Sequence, residues 1–190
     1  MPKSCHWLLS IVFVLLFTSS AAALNQGDWN IGFWTGGGAA LSEKGNDTNL
    51  WLTGIRAGKV LTKERGSGLF RGNLEYGVEF IPIFLVIQDS TVYGFDFTPL
   101  LLKWNFSTDK SALPYFEFGA GMLVSSDDVP EKTSTFNFTP QAGFGLHVLT
   151  RNNQAVTFTV KYMHISNGGL RSPNPGLNSI QFFVGYNWFH

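Results

Sequence analysis

The stretch TFNFTPQAGFGLHV, residues 135–148, alternates along its whole length between apolar side chains and small or polar ones. The apolar parity consists of Phe136, Phe138, Pro140, Ala142, Phe144, Leu146 and Val148. The opposite parity consists of Asn137, Thr139, Gln141, Gly143, Gly145 and His147. Because successive side chains of a strand point to opposite faces, this pattern predicts a β-strand with one apolar face. The stretch exceeds the ~5–6 residues usual in soluble sheets and reaches the ~9–11 that a tilted strand needs to cross a bilayer.

Segments with the same period recur along the chain and are separated by turn-forming residues. The predicted strands are 28–41, 49–62, 69–84, 92–106, 113–125, 135–149, 154–166 and 177–189. Neither an internal repeat nor a linker interrupts them, so the sequence predicts a single domain of eight strands. After the N-terminal segment there is no run of ~18 apolar residues of the kind that predicts a transmembrane helix.

The composition distinguishes a membrane barrel from a soluble sandwich. Charged residues make up 14% of the chain, against roughly 25% in an average soluble domain. Aromatic residues reach 15%, and there are 21 glycines. A sandwich of this composition would have too few charges to cover its surface. The sequence therefore predicts an all-β fold, an eight-stranded antiparallel transmembrane β-barrel with apolar residues facing lipid and a narrow polar interior.

The N-terminal 23 residues have the features of a secretory signal. Lys3 precedes the apolar run WLLSIVFVLLF, and the small residues SSAAA follow it. We therefore predict a signal peptide at 1–23 and an outer-membrane barrel at 24–190. The single cysteine, Cys5, falls in the signal, so the mature chain is predicted to have no disulfide and no cysteine-ligated metal. The 13 basic residues balance the 13 acidic ones, which predicts no nucleic-acid partner.

Strand parity also makes predictions about the barrel interior and its two ends. Glu75, Glu79, Glu117 and Arg71 are predicted to form an interior charge network, and His147 to be a hydrogen-bonded interior residue. Four connections are predicted to lie on the outer side of the membrane. These are 42–49, 87–92, 125–135 and 166–176.

A histidine and a serine stand two residues apart at the end of the seventh predicted strand. Val156, Phe158 and Val160 of that strand are predicted to face lipid, and His164 and Ser166 share their parity. In the eighth strand Asn178 has the parity of the set Ile180, Phe182, Val184, Tyr186 and Trp188. A histidine, a serine and an asparagine are thus predicted to converge on the outer surface of the barrel.

These three residue types are suited to nucleophilic catalysis. A serine hydroxyl needs a neighbouring base, and the base needs a third group that fixes its tautomer and orientation. Ser166 would be the nucleophile, His164 the base and Asn178 the orienting group. The alternative is that polar residues at a strand end have no catalytic role, in which case the protein is a small porin-like or structural barrel.

The segment HISNGGLRSPNPGLNS, residues 164–179, resembles the signature of the outer-membrane lipid A 3-O-deacylases (PagL type). The resemblance implies an eight-stranded barrel with Ser166 as nucleophile and His164 as base. It places Asn167, Gly169 and Asn174 in the stretch associated with oxyanion stabilisation. The sequence departs from the family at the third position, where a family member has a glutamate and this chain has Asn178. A Ser–His–Asn arrangement also occurs in outer-membrane phospholipases.

The resemblance implies a serine esterase that removes the 3-linked acyl chain of lipid A. Lipid A, or lipopolysaccharide, would be its substrate in the bacterial outer membrane, with the site on the outer-leaflet side among outer-membrane lipid. Backbone amides of Gly168 and Gly169, together with an asparagine side chain, would hold the oxyanion. A phospholipase is the second enzymatic alternative. We expect a monomer or a homodimer and no cofactor or metal.

Overall fold

The computed structural model describes residues 24–41, 48–108, 111–150 and 153–190. The predicted signal peptide, 1–23, lies outside the described residues. Eight antiparallel strands form a closed barrel in which each strand pairs with the next and β1 pairs with β8. They are β1 Trp29–Ala40, β2 Asn49–Val60, β3 Gly72–Ile87, β4 Thr91–Phe106, β5 Ala112–Ser125, β6 Phe136–Leu149, β7 Gln154–Ile165 and β8 Leu177–Phe189. No helix in the described ranges is long and apolar enough to cross a membrane.

The predicted fold class is confirmed, and β3 shows the largest difference in strand boundaries. The sequence predicted 69–84, whereas Gly68–Phe70 form a 3-10 turn and the strand runs over Gly72–Ile87. Gly68 begins that turn with a φ of 57°, in the left-handed region that favours glycine. The strand therefore starts after the turn and continues further at its other end.

The apolar parity faces outward, as predicted. Phe144 of β6 and Phe158 of β7 are 56% and 51% exposed, whereas the alternating residues Asn137, Thr139 and Thr157 are buried. A large exposed apolar surface of this kind marks a lipid-facing band in a closed barrel. In β3 and β4 the register with the neighbouring strand shifts at bulges, and the parity changes there.

One half of the interior holds a buried charge network. Arg56 donates through Nε to Glu79 at 2.9 Å and through Nη2 to Glu117 at 3.2 Å. The Lys161 ammonium on β7 lies 3.2 Å from Glu79 and 3.3 Å from Glu117. Each carboxylate therefore contacts two cations, which offsets the cost of removing these charges from water.

The predicted membership of this network was partly wrong. Glu75 is buried and binds the Lys103 ammonium at 3.2 Å, as an interior carboxylate should. Arg71 instead lies just before β3, with its side chain 43% exposed and its Nε 3.4 Å from Glu64. Because the 3-10 turn delays the start of β3, Arg71 never enters the barrel. The predicted interior position of His147 is confirmed: it is buried and its Nδ1 lies 2.7 Å from Thr157 Oγ1.

The other half of the interior is mainly apolar, which corrects the expectation of a polar lumen throughout. Inward side chains of seven strands, all except β6, and Val129 of the β5–β6 connection form one buried cluster. Its members are Trp34, Leu50, Leu52, Ile81, Phe84, Val86, Val92, Leu123, Val129, Met163, Ile165, Leu177 and Phe183. A cavity between the two halves, lined by Trp34, Arg56 and Lys161 among others, has a volume of about 10 Å³, room for about one water. Nothing in the described interior favours the porin-like alternative.

The buried network makes a prediction about stability. Glu117→Gln removes the negative charge shared by Arg56 and Lys161, and we expect it to lower the free energy of unfolding by about 3 kcal/mol. The exposed carboxylate of Glu64 provides a matched control, since losing its ion pair with Arg71 should cost less than about 1 kcal/mol. Denaturant unfolding in detergent micelles measures both variants. Equal losses would contradict the assigned role of the network.

Candidate active site

The end of β7 and the start of β8 place the predicted site residues next to one another. His164 of β7 is directly opposite Asn178 of β8 in the strand register. Both side chains are half-buried on the outer face. Their inward neighbours Met163, Ile165 and Leu177 are buried in the apolar half of the interior. The packing of these neighbours fixes which way His164 and Asn178 point.

The His164 imidazole and the Asn178 amide are joined by a hydrogen bond. His164 Nδ1 lies 2.7 Å from Asn178 Oδ1. An amide oxygen only accepts hydrogen bonds, so Nδ1 carries the hydrogen in this arrangement. The other ring nitrogen, Nε2, is then left with its lone pair. This is the tautomer that a general base requires.

Ser166 follows β7 directly and keeps its pleated geometry. Its N–H donates to the Phe138 carbonyl at 3.1 Å, and its carbonyl accepts from the Phe138 N–H at 2.7 Å. This isolated bridge lies three positions beyond the last β6–β7 pair, Gln141–Met163, and keeps the same register, so Ser166 shares the outward face of His164. Residues i and i+2 of a strand lie about 6–7 Å apart at Cα, within side-chain reach. In the described part of the chain the Ser166 hydroxyl makes no hydrogen bond.

The connection after Ser166 is organised by Asn167, whose side chain is 1% exposed. Its Nδ2 donates to the Arg171 carbonyl at 2.9 Å, and its Oδ1 accepts from the Gly169 N–H at 2.9 Å. Its backbone N–H donates to Asn174 Oδ1 at 3.1 Å. Asn167 and the Gly169 N–H are thus engaged within the loop. Among the described residues, the Gly168 N–H and the Asn174 Nδ2 have no partner.

Gly176 lies against the imidazole ring of His164. A Cβ at Gly176 would be 2.6 Å from His164 Cε1 and 3.2 Å from Nε2, closer than side chains approach. Gly176 also has a φ of 69°, which favours glycine. The end of the loop therefore packs directly on the ring and limits its rotation.

An apolar groove of about 550 Å³ lies on the lipid face below the site. Val160 and Phe182, paired on β7 and β8, line it together with Gly37 of β1 and Trp51 of β2. Gly37 has no side chain to fill the groove, and a Cβ there would lie 2.5 Å from the Leu50 carbonyl oxygen. Val160 is four residues from His164, or about 13 Å along the strand.

Sequence reasoning missed three parts of this site. Gly176 and the groove depend on contacts between segments that no local pattern reveals. Tyr162 faces outward like His164, and its hydroxyl donates to Asn178 Oδ1 at 2.6 Å. The shared parity of Tyr162 and Asn178 on paired strands was the available signal.

No cluster of three or more potential metal ligands occurs within the described residues.

The contact between Gly176 and His164 makes a structural prediction. Gly176→Ala should push the imidazole away and weaken its hydrogen bond to Asn178, which ¹⁵N NMR of the ring nitrogens detects. Gly169→Ala is the matched control, because Gly169 also has a left-handed φ, 83°, but a Cβ there would have nothing within 4 Å. In both variants, placing alanine at a left-handed φ should lower the free energy of unfolding by about 1 kcal/mol. Unchanged His164 resonances in Gly176→Ala would show that the ring is held by other contacts.

Comparisons with known proteins support the same fold and family. The sequence profile of the family described as lipid A 3-O-deacylase (PagL) matches residues 15–187. The lipid A deacylase PagL of Bordetella bronchiseptica is 36% identical over 77 residues, which are 39% of this chain and 41% of that protein. The chain thus matches less than half the length of that curated relative.

Solved structures with the same fold include two outer-membrane barrels. The crystal structure of the outer membrane enzyme PagL aligns with a TM-score of 0.59 and 22% identity, covering 82% of this chain and 97% of that one. The outer membrane protein OprG of Pseudomonas aeruginosa aligns with a TM-score of 0.55 and 13% identity, covering 88% and 98%. At these identities the structural likeness shows the fold.

Proposed function

The chain belongs to the lipid A 3-O-deacylase (PagL) family, and from this premise we propose that it hydrolyses the 3-linked acyl ester of lipid A. Ser166 acts as nucleophile, His164 as general base and Asn178 as the group that orients His164. The observation that supports this assignment most is the 2.7 Å bond between His164 Nδ1 and Asn178 Oδ1, on the same outward face as Ser166. The Ser–His–Asn composition is part of the proposal, as are the substrate and the outer-membrane location.

The reaction follows from the orientation of the imidazole. Ser166 Oγ attacks the acyl carbonyl carbon while His164 Nε2 takes the hydroxyl proton. His164 then gives this proton to the departing sugar oxygen, which leaves an acyl group on Ser166. Water, deprotonated by the same Nε2, attacks the acyl-enzyme, and the proton returns to Ser166 Oγ as the fatty acid leaves.

The negative oxygen of the tetrahedral intermediate needs hydrogen-bond donors. We assign this role to the Gly168 N–H and the Asn174 Nδ2, two loop donors that have no partner in the described chain. Asn167 and Gly169 contribute indirectly. The Asn167 side chain bonds to the backbone at Arg171 and Gly169, and this holds the loop in place beside Ser166.

A neutral asparagine suits a site on the lipid face. A carboxylate beside lipid would carry a large desolvation cost unless it were fully paired. Asn178 avoids that cost, but it stabilises the imidazolium formed in the reaction less than a charged group does. We therefore propose a Ser–His–Asn triad in which correct orientation of the imidazole contributes more than charge.

The position of the site suits a substrate that is itself a membrane lipid. We propose that the end of the barrel bearing Ser166 faces the outer leaflet and that the groove at Val160 and Phe182 accepts an acyl chain of the substrate. The ester would then reach Ser166 without leaving the membrane. His164, Ser166 and Asn178 all come from β7, β8 and their connection, so we propose that one chain forms a complete site.

Removal of the nucleophile tests the proposed reaction. Ser166→Ala should lower deacylation by at least about 10³-fold, since the remaining groups cannot form the acyl-enzyme. Mass spectrometry of lipid A from cells expressing each variant measures the loss of one 3-linked acyl chain. The matched control is Ser172→Ala, an exposed serine of the same loop, which should remain active.

The same experiment separates the alternatives. If the wild-type protein leaves lipid A unmodified but releases fatty acid from phospholipid, it is a phospholipase. No release from either lipid would support a non-catalytic barrel. Deacylation of lipid A by a correctly folded Ser166→Ala variant would contradict the role of Ser166.

The groove predicts an effect on substrate binding. Val160→Phe fills part of it, and we expect KM for lipid A to rise by about tenfold, roughly the effect of losing the burial of two methylene groups. Val78→Phe makes the same change on the outer face of β3, across the barrel, and should leave KM unaltered. Steady-state kinetics in mixed micelles compares the two variants. An equal KM in both would show that the acyl chain binds elsewhere.

A further inference from the structure

The hydroxyl of Tyr162 shares an acceptor with the proposed catalytic base. Tyr162 donates to Asn178 Oδ1 at 2.6 Å, and His164 Nδ1 lies 2.7 Å from the same oxygen. We propose that Tyr162 is a positioning residue that holds the Asn178 amide with its oxygen, rather than its nitrogen, toward His164. This inference rests on the proposed roles of His164 and Asn178.

The orientation of the amide decides which tautomer His164 adopts. With its oxygen toward the ring, Asn178 keeps the hydrogen on Nδ1 and leaves Nε2 free to accept the proton of Ser166. With its nitrogen toward the ring, Asn178 would donate to Nδ1, and the hydrogen would move to Nε2. The imidazole could then no longer act as base. A carboxylate has no such inactive orientation, because both of its oxygens accept.

The strand register places Tyr162 where it can control this choice. Tyr162 is paired with Ile180, and this pair lies two residues along the strands from the His164–Asn178 pair. Tyr162 and Asn178 are therefore diagonal neighbours on one face. The backbone of Asn178 is also fixed from the other side, since its carbonyl accepts from the Leu41 N–H at 2.7 Å. The rotation of its side-chain amide is the freedom that remains.

The surroundings of the hydroxyl make the oxygen-inward orientation the favourable one. Tyr162 is 40% exposed on the lipid face, where an unbonded hydroxyl hydrogen is costly. In the described part of the chain this hydrogen has Asn178 Oδ1 as its acceptor. If the amide turned over, an NH₂ group would face the tyrosine, and the hydroxyl hydrogen would lose that acceptor. Tyr162 therefore favours the orientation that makes His164 a base.

A double-mutant cycle tests this role. The variants are Tyr162→Phe, Asn178→Asp and the double variant, each assayed for kcat and KM on lipid A in mixed micelles. Tyr162→Phe should lower kcat by about tenfold or more and change KM less than about twofold, because it acts on the tautomer of the base. In the Asn178→Asp background the same change should cost less than about twofold, because a carboxylate needs no orienting.

Tyr76 supplies the matched control. It is 38% exposed on the outer face of β3, and its hydroxyl donates to the Pro99 carbonyl at 2.6 Å. Tyr76→Phe thus removes a lipid-face hydrogen bond of equal length far from the site, and kcat should be unchanged. An equal loss of kcat from Tyr162→Phe in both backgrounds, or no loss in either, would overturn the proposal.

The tautomer itself provides a readout that does not depend on activity. In a Ser166→Ala background, ¹⁵N NMR of His164 should show hydrogen on Nδ1, and adding Tyr162→Phe should shift part of the population to Nε2–H. An unchanged tautomer would contradict the positioning role even if all variants were inactive. A Ser166→Ala variant that still deacylates would instead refute the proposed catalytic function. Full activity of Tyr162→Phe with an inactive Ser166→Ala would refute the positioning role alone.

Discussion

The alternation of side chains along β7 is the constraint on which the site depends. Lys161 points inward and pairs with Glu79 and Glu117, and Met163 and Ile165 pack in the apolar half of the interior. His164 and the following Ser166 are therefore directed outward. A shift of one residue in the register would exchange the two faces and place the proposed catalytic groups inside the barrel. The ion pairs and the packing of the interior both oppose that shift.

Closure of the barrel allows such a polar group of residues to exist beside lipid. Every strand is paired on both sides, so the backbone presents no unpaired edge to the membrane. The polar atoms of Asn178 and His164 bond to each other, and Tyr162 bonds to the same asparagine. The loop residues bond among themselves through Asn167. The Ser166 hydroxyl, which has no hydrogen bond within the described residues, is the group that the proposed reaction uses first.

Most of the fold could be predicted from the sequence, because long strands with one lipid-facing side give a clear period of two. Prediction from the sequence failed where the period of two does not distinguish the inward from the outward face. In the half of the barrel that contains the apolar cluster, most residues on both faces are apolar, so residues such as Phe84 and Val86 did not reveal an apolar interior. The wrong placement of Arg71 arose from a turn at Gly68 that delays β3.

Strand parity and the resemblance to the deacylase family together predicted that His164, Ser166 and Asn178 lie close together. Their precise contacts could be obtained only from the structure. The packing of Gly176 on the imidazole and the bond from Tyr162 join side chains and loops whose relative positions depend on the closed barrel. That the Gly169 N–H is already bonded, whereas the Gly168 N–H has no partner in the described chain, likewise emerges only from the structure. Local sequence identifies the residue types, and tertiary structure decides which of their atoms remain available.

The central claim is that Ser166 is a nucleophile activated by His164 on the lipid face. A long-chain alkylsulfonyl fluoride, which enters membranes and reacts with activated serines, tests it directly through peptide mass spectrometry of the folded protein in micelles. We expect one sulfonyl adduct, on Ser166, that is lost in His164→Ala and retained in His190→Ala. An unmodified Ser166, or modification that is independent of His164, would contradict the claim.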